Sequence, residues 1–276
     1  MVKYVHEKEV FMDNIQLLVF DIDGTLVDTS KQTVEDSAVN AINEARDKGY
    51  HILIATGRSF FFIHDDVRNR VNTEYYVTVN GACLNDDKGG IIESYDFDQQ
   101  SLELLVDYCL ENDFALGVKY NDHIGVYGNY DQFVRSYVGY EHPGVKFLID
   151  DNSRESFKNE KPLGSFHFAK KETVAEAREL MPNLNFIPGD NDSVEALKIN
   201  VDKTKTIESV LSKLNLTWDN VIAFGDGNND IEMLKLAKIG VAMGNSSDNV
   251  KQHADYVADT VLNDGIAKAF KELKIL

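Results

Sequence analysis

The chain has 276 residues, of which 43% are hydrophobic and 27% are charged, an ordinary balance for a globular protein of about two domains. Its 28 basic and 46 acidic residues give a net charge of −18, which argues against nucleic acid or an anionic membrane surface as a partner. No apolar run has the roughly 20 residues of a membrane helix, the N-terminus lacks a signal-peptide pattern, and the two cysteines are typical of reduced thiols. We therefore expect a cytoplasmic protein; the sequence does not fix its oligomeric state, and a monomer is the default expectation.

The first predicted element is a buried strand, Leu17–Phe20, which follows a polar extension over residues 1–14 of no assigned role. The apolar run leads directly into Asp21-Ile22-Asp23-Gly24-Thr25. Asp21 and Asp23 are two residues apart, so their carboxylates start on the same side of the strand end, where a bound cation would relieve their repulsion. Taken alone, this pattern is equally typical of an ordinary turn.

A helix and two more strands follow, in the order expected of a parallel sheet. Apolar residues at helical spacing between Val34 and Ala45 predict a helix, and the strand Ile52–Ala55 then ends in Thr56-Gly57-Arg58. A third strand over residues 75–79 ends at Asn80-Gly81. Ligands bind beyond the carboxyl ends of such strands, so Thr56 should lie beside Asp21.

The pattern changes between residues 85 and 189, where it favours an inserted α+β domain. It predicts a hairpin around residues 86–90, a helix over 102–110 with Cys109 as a small buried residue, strands over 114–120 and 123–127, and a strand, helix and strand over 165–187. Residues 129–162 show no readable pattern.

The core pattern returns after residue 190. A helical stripe leads to Leu214, and the apolar strand Val221–Phe224 ends in Gly225-Asp226-Gly227-Asn228-Asn229-Asp230. Strands over 239–243 and 256–258 and a helix over 265–273 follow. The predicted fold class is α/β: a Rossmann-like parallel-sheet core with helices on both faces (residues 1–84 and 190–276) and an inserted α+β domain (residues 85–189).

The polar strand ends together carry a resemblance. The segments Phe20–Leu26, Ala55–Arg58 and Gly225–Asp230, with a long insertion after Asn80-Gly81, resemble the haloacid-dehalogenase-like phosphohydrolases, and in particular the Cof-type sugar-phosphate phosphatases. That family also has a lysine before the final aspartate motif, usually followed by glycine. Lys203 stands at this place, although Thr204 replaces the glycine; Lys205 and Lys198 are the competing candidates.

The resemblance implies a Mg²⁺-dependent phosphatase acting on a small phosphorylated metabolite through an aspartyl-phosphate. Asp21 would be the nucleophile, Asp23 the general acid and base, and Lys203 the third catalytic residue. The same lysine would hold the phosphate together with Gly24, Thr56, Gly57 and Asn229. Mg²⁺ would be held by Asp21, the Asp23 backbone carbonyl, Asp226 and Asp230. The insertion would be a cap that closes over the site.

Two other functions stay open, a phosphomutase of the same superfamily and a sugar-phosphate sensor without catalysis. A dinucleotide-dependent oxidoreductase would need Gly-x-Gly-x-x-Gly after the first strand, where this chain has Asp-Ile-Asp-Gly-Thr-Leu. The physiological substrate is not readable. The cap offers polar and aromatic candidates for its recognition, each of which could equally be a surface residue: His123, Tyr127, Tyr130, His142 and Lys146.

Overall fold

The computed structural model describes residues 14–169, 172–189 and 192–276, so the predicted extension lies outside the described residues except for Asn14. The strands form two sheets, one of eight strands and one of six. The strands of the eight-stranded sheet are β1 (Leu17–Phe20), β2 (His51–Ala55), β3 (Tyr75–Thr78), β4 (Cys83–Asp86), β5 (Ile91–Ser94), β12 (Val221–Gly225), β13 (Ile239–Ala242) and β14 (Tyr256–Val257). Those of the six-stranded sheet are β6 (Leu116–Lys119), β7 (Ile124–Tyr127), β8 (Leu148–Asp150), β9 (Gly164–Phe168), β10 (Leu184–Pro188) and β11 (Ser193–Lys198).

Ten α-helices are assigned within the described part of the chain, and short 3₁₀ turns join several of them to strands. They are α1 (Asp36–Asp47), α2 (Asp65–Arg70), α3 (Gln99–Glu111), α4 (Tyr130–Tyr137), α5 (Glu155–Asn159), α6 (Thr173–Leu180), α7 (Lys203–Leu214), α8 (Ile231–Leu236), α9 (Asp248–Lys251) and α10 (Gly265–Glu272). None of the described helices is long and apolar enough to cross a bilayer.

The eight-stranded sheet has the order β14-β13-β12-β1-β2-β3-β4-β5. Its first six strands are parallel, and the β4–β5 hairpin continues the sheet antiparallel to β3. The predicted Rossmann-like α/β core is confirmed, with β1 at its centre.

Both faces of this sheet are covered by helices, which explains why β1 is apolar at every position. Leu18 and Phe20 pack into the layer that contains α1 and α10. Leu17 and Val19 point to the opposite layer, formed by α7 and α8. Alternate side chains of one strand thus fill two cores, as expected for a parallel sheet buried on both sides.

The six-stranded sheet, in the order β10-β11-β9-β6-β7-β8, forms the inserted cap domain. Helices α3 and α6 pack on one face around a buried core that includes Cys109. Helix α4 packs on the other face through Phe133 and Val134, joined there by Phe61 and Phe62 from the core domain. Within residues 129–162, where the sequence shows no pattern, the structure has α4, β8 and α5.

Both boundaries between the core and the cap lie later in the chain than the sequence predicted. The hairpin of β4 and β5, with residues 85–94 placed in the cap by the sequence, extends the core sheet instead. Strand β11, placed in the core after residue 190, pairs with β9 and β10 in the cap sheet. The chain therefore crosses between domains near residues 95–98 and 199–202, because long-range strand pairing decides the domain of each of these segments.

Candidate active site

Four strands of the core end at the same edge of the sheet. The register aligns Phe20 of β1 with Ile54 of β2 and with Phe224 of β12. Residues that follow these strands therefore come together, as predicted: Asp21 and Asp23, Thr56 to Arg58, and Asp226 to Asp230. Asn80, which follows β3, joins them.

Lys203 lies at the start of α7 and contacts two of these carboxylates. Its Nζ donates to Asp21 Oδ1 at 2.6 Å and to Asp230 Oδ1 at 2.7 Å, and the lysine is buried. Burial raises the pKa of Asp21 well above its ordinary value, and Lys203 opposes the rise. Burial alone would lower the pKa of Lys203, but its two carboxylate partners outweigh this and raise it. The competing candidates lie elsewhere: Lys205 is 5.8 Å from the centre of the Tyr95 ring, and Lys198 is exposed at the end of β11.

A tight turn after β3 fixes the start of α7. Val79, Asn80 and Gly81 have φ angles of 49°, 50° and 97°, so three successive residues lie in the left-handed region. A Cβ on Gly81 would lie 1.9 Å from the Asp202 carbonyl oxygen, and the Thr206 hydroxyl donates to the Gly81 carbonyl. This close approach of backbone to backbone needs glycine and sets the position of the following lysine.

The acidic cluster has the donor set of a hard cation site. Carboxylate oxygens of Asp21, Asp226 and Asp230 lie within 4.8 Å of one another. Gly24, with a φ of 79°, leaves the space that Asp226 occupies, since a Cβ there would lie 2.1 Å from Asp226 Oδ2. Burial, with the nearby Asp230, raises the pKa of Asp226 to about 7. Three mutually repelling oxygen ligands around a small space fit Mg²⁺.

Both oxygens of Asp230 already accept hydrogen bonds from the protein. One oxygen accepts from Lys203, and the other accepts from the backbone N–H groups of Asp226 and Gly227 at 3.0 and 2.9 Å. This arrangement shapes the loop after β12 and leaves Asp21 and Asp226 as the carboxylates with freedom to bind a cation directly.

Asp23 forms a two-point ion pair that the sequence did not reveal. Arg58 donates from Nε to Oδ2 at 2.6 Å and from Nη2 to Oδ1 at 2.7 Å. The same guanidinium donates to the Phe62 carbonyl at 3.0 Å, and the Arg58 backbone N–H donates to Thr56 Oγ1 at 3.1 Å. The predicted acid/base residue is thus oriented by a planar fork. The only sequence signal was that Arg58 closes the Thr-Gly-Arg motif.

A chain of hydrogen bonds runs from the predicted phosphate-binding residue Asn229 into the cap. Asn229 donates to Asn80 Oδ1 at 2.8 Å, and Asn80 donates to Glu195 Oε2 at 2.6 Å. The other oxygen of Glu195 accepts from Lys119 at 2.8 Å, and Lys119 also donates to the Gly57 carbonyl at 3.2 Å. The sequence missed these contacts because Lys119 and Glu195 come from distant strands of a second sheet.

Core and cap line a half-open cavity of about 550 Å³ beside Asp21. Its core wall includes Asp23, Arg58, Asp226 and Asn229, and its cap wall is formed by Lys119, Tyr137, Val138, His142, Phe166 and Glu195. Of the five cap residues singled out in the sequence, the described lining includes His142 alone. His123, for example, is buried and contacts Ser156 at 2.8 Å.

Comparisons with known proteins agree with this geometry. The family model described as haloacid dehalogenase-like hydrolase matches residues 18–270. The 5-amino-6-(5-phospho-D-ribitylamino)uracil phosphatase YcsE of Bacillus subtilis (strain 168) is 29% identical over 258 residues, covering 94% of this chain and 95% of that protein.

Two solved structures cover nearly the whole chain. The phosphatase BT1666 of the same superfamily, from Bacteroides thetaiotaomicron, has a TM-score of 0.85 at 27% identity and covers 100% of both chains. The subclass IIB sugar phosphatase BT4131 has a TM-score of 0.82 at 26% identity and covers 95% of this chain and 100% of its own. The resemblance predicted from the motifs is confirmed: this chain belongs to the haloacid dehalogenase-like hydrolase family, as one of its phosphatases.

Proposed function

We propose that the protein is a Mg²⁺-dependent phosphatase that hydrolyses small phosphate monoesters, sugar phosphates in particular, through a phosphorylated Asp21. The observation that carries the proposal is the environment of Asp21, a buried carboxylate held at 2.6 Å by a buried lysine, beside a second acidic residue and a cavity between core and cap. A nucleophile, a cation and an oxygen-lined metal site are together what phosphoryl transfer requires.

Each residue then has a task that follows from its contacts. Asp21 Oδ1 is fixed by Lys203, which leaves the other oxygen to attack the phosphorus. Asp23 is the general acid and base: in the form protonated from solvent it gives its proton to the leaving oxygen, and as the carboxylate held by Arg58 it then takes one from the attacking water. Lys203 lies close enough to neutralise charge on the transferred group.

The residues at the strand ends also account for binding of metal and phosphate. We assign the metal to Asp21, Asp226 and the Asp23 carbonyl, with Asp230 holding the loop; when bound, Mg²⁺ lowers the repulsion between the carboxylate and the phosphate. The phosphate is assigned to Lys203, Asn229 and the backbone N–H groups around Gly24 and Gly57, with Thr56 supporting the latter loop. We place this activity in the cytoplasm, in a monomer, in keeping with the unpaired buried cysteines Cys83 and Cys109.

A phosphate-release assay against a panel of sugar phosphates and other monoesters, with and without Mg²⁺, tests the proposal. Asp21→Asn should abolish turnover in a folded protein, whereas the exposed control Asp47→Asn should keep it. Peptide mass spectrometry after acid quenching should find phosphate on Asp21. Free phosphate as product separates hydrolysis from a phosphomutase, and binding without any turnover would support a sensor and refute the proposal.

A further inference from the structure

The cap contributes one ion pair to the cavity, between Lys119 and Glu195. Their side chains are 4% and 23% exposed, and their contact is 2.8 Å. Burial alone would lower the pKa of Lys119, but Glu195 outweighs this and raises it, so Lys119 is charged near neutral pH. The pair comes from β6 and β11, and its carboxylate faces the same space as the nucleophile.

Each permanent cation of the described lining is already paired with a carboxylate. The described lining has four carboxylates and two permanent cations, Arg58 and Lys119. Arg58 is held by Asp23 through two hydrogen bonds, and Lys119 by Glu195. His142 also lines the space, but burial lowers its pKa, so it adds no charge near pH ~7. Lys203, and a metal when one is bound, would serve the phosphate that is being transferred. No cation of the described lining remains for a second anionic group.

We propose that the Lys119–Glu195 pair, by leaving no free cation among the described cap residues of the cavity, makes the enzyme select phosphate monoesters with an uncharged leaving group and reject those with a second anionic group. Glu195 neutralises the Lys119 charge that a further carboxylate or phosphate would otherwise pair with, while its oxygens accept from the hydroxyl or N–H groups of a neutral leaving group. Lys119 in turn prevents this half-buried carboxylate from repelling the transferred phosphate. This inference rests on the proposed function and narrows its substrate class.

The test compares glycerol 3-phosphate with 3-phosphoglycerate. The end of the molecule far from the phosphate is a neutral hydroxymethyl group in the first and a carboxylate in the second. The measured quantity is the ratio of kcat/KM for the two esters. If either turns over slowly, competitive inhibition of p-nitrophenyl phosphate hydrolysis gives the same comparison. Wild type should prefer glycerol phosphate by about tenfold or more, because the second anion of phosphoglycerate would enter the cavity without a partner cation, a difference of one partly screened charge interaction.

Three variants change the charge of the pair in steps. Glu195→Gln leaves Lys119 unpaired and should shift the ratio toward phosphoglycerate by about tenfold. Lys119→Met leaves Glu195 unpaired and should shift it the other way. The double variant Lys119→Met with Glu195→Gln restores neutrality and should return to the wild-type ratio. Glu103→Gln, on the exposed face of α3, is the matched control and should change nothing.

The outcomes separate the inference from the proposed function. If the ratio follows the charge of the pair, the selection is established. If one single variant fails to fold, comparing the other single variant with the double variant still gives the direction in which the kcat/KM ratio shifts. The inference is overturned if both single variants shift the ratio in the same direction, or if no folded variant shifts it while turnover persists. Loss of the proposed function would appear differently, as no phosphate release from any ester by wild type.

Discussion

Replacing Lys203 with methionine tests the centre of the site most directly. The substitution keeps the aliphatic stem of a buried side chain and removes the one charge that lies 2.6 Å from Asp21 and 2.7 Å from Asp230. Breaking a buried ion pair from one side costs about 3–5 kcal/mol. Removing one donor aimed at transition-state charge typically lowers the rate by about 10²–10³-fold. We expect both effects in the same variant.

The two effects should have opposite dependence on pH. Without Lys203 the pKa of Asp21, already raised by burial, rises further. A carboxyl whose folded pKa lies above its unfolded value of about 3.9 destabilises the fold at neutral pH, where burial of its charge is unfavourable. This cost decreases as the pH falls toward that value and the buried group takes up a proton. The variant should therefore regain stability in acid. Its activity should instead recover in part at higher pH, where Asp21 is again ionised and nucleophilic.

The assays are phosphate release with Mg²⁺ between about pH 5 and 9 and thermal unfolding over the same range. Lys205→Met is the matched control because it lies two residues away, is exposed, and has only an aromatic contact at 5.8 Å. Its rate should stay within about twofold of wild type, since a contact of this kind stabilises by only about 0.5–1 kcal/mol. If Lys205→Met lost more activity than Lys203→Met, or if the latter kept a third of the wild-type rate, the reasoning would be refuted.

Two further predictions concern Gly81 and His167. Gly81→Ala should lower kcat/KM at least about tenfold, because the new Cβ would displace the Asp202 carbonyl and with it Lys203. The control is Gly49→Ala: Gly49 also has a positive φ but no atom within 4 Å of the added Cβ, so this variant should lose stability alone. Equal activity in the two variants would show that the close approach at Gly81 is irrelevant. Burial lowers the pKa of His167 to about 4, so as the pH falls this histidine is protonated in the unfolded chain before it is protonated in the folded protein. The free energy of unfolding should therefore fall by up to about 3 kcal/mol between about pH 6.5 and 4. Urea titrations should show a smaller fall for His167→Gln and no such change for the exposed control His51→Gln; an identical acid fall in all three proteins would exclude His167 as its source.

The core could be predicted from the sequence because its information is local. Each parallel strand is a short apolar run followed at once by its functional residues, so reading β1 also gives Asp21 and Asp23. The order of strands and helices then places Thr56 and Asp226 at the same edge. In the sequence, only the family resemblance favoured Lys203 over Lys205 as the lysine of the site. The structure distinguishes the two by their burial and their contacts.

The cap side of the site could not be predicted, because its contacts join residues far apart in the chain. Lys119 and Glu195 are 76 positions apart and meet only when β6 and β11 each pair with β9. Strand β11 itself lacks a clear alternation of apolar and polar residues, which is why the predicted boundary precedes it. Arg58 shows the same limit within a recognised motif, since nothing local indicates that its guanidinium turns back to Asp23.

The turn Val79–Gly81 leaves little room for stabilising substitutions beside the site. A β-branched residue in the left-handed region costs of order 1–3 kcal/mol, and here Val79 and Asn80 both lie there. Glycine or asparagine at Val79 would adopt such a φ with less strain, but the Val79 side chain is buried in a cluster with Cys83 and Leu163, so its loss would offset the gain. The same turn aims Asn80 at Asn229 and Glu195 and fits Gly81 against the start of α7. The strained φ of Val79 is therefore held in place from two sides, by the apolar cluster under the turn and by the site contacts of the two residues that follow it.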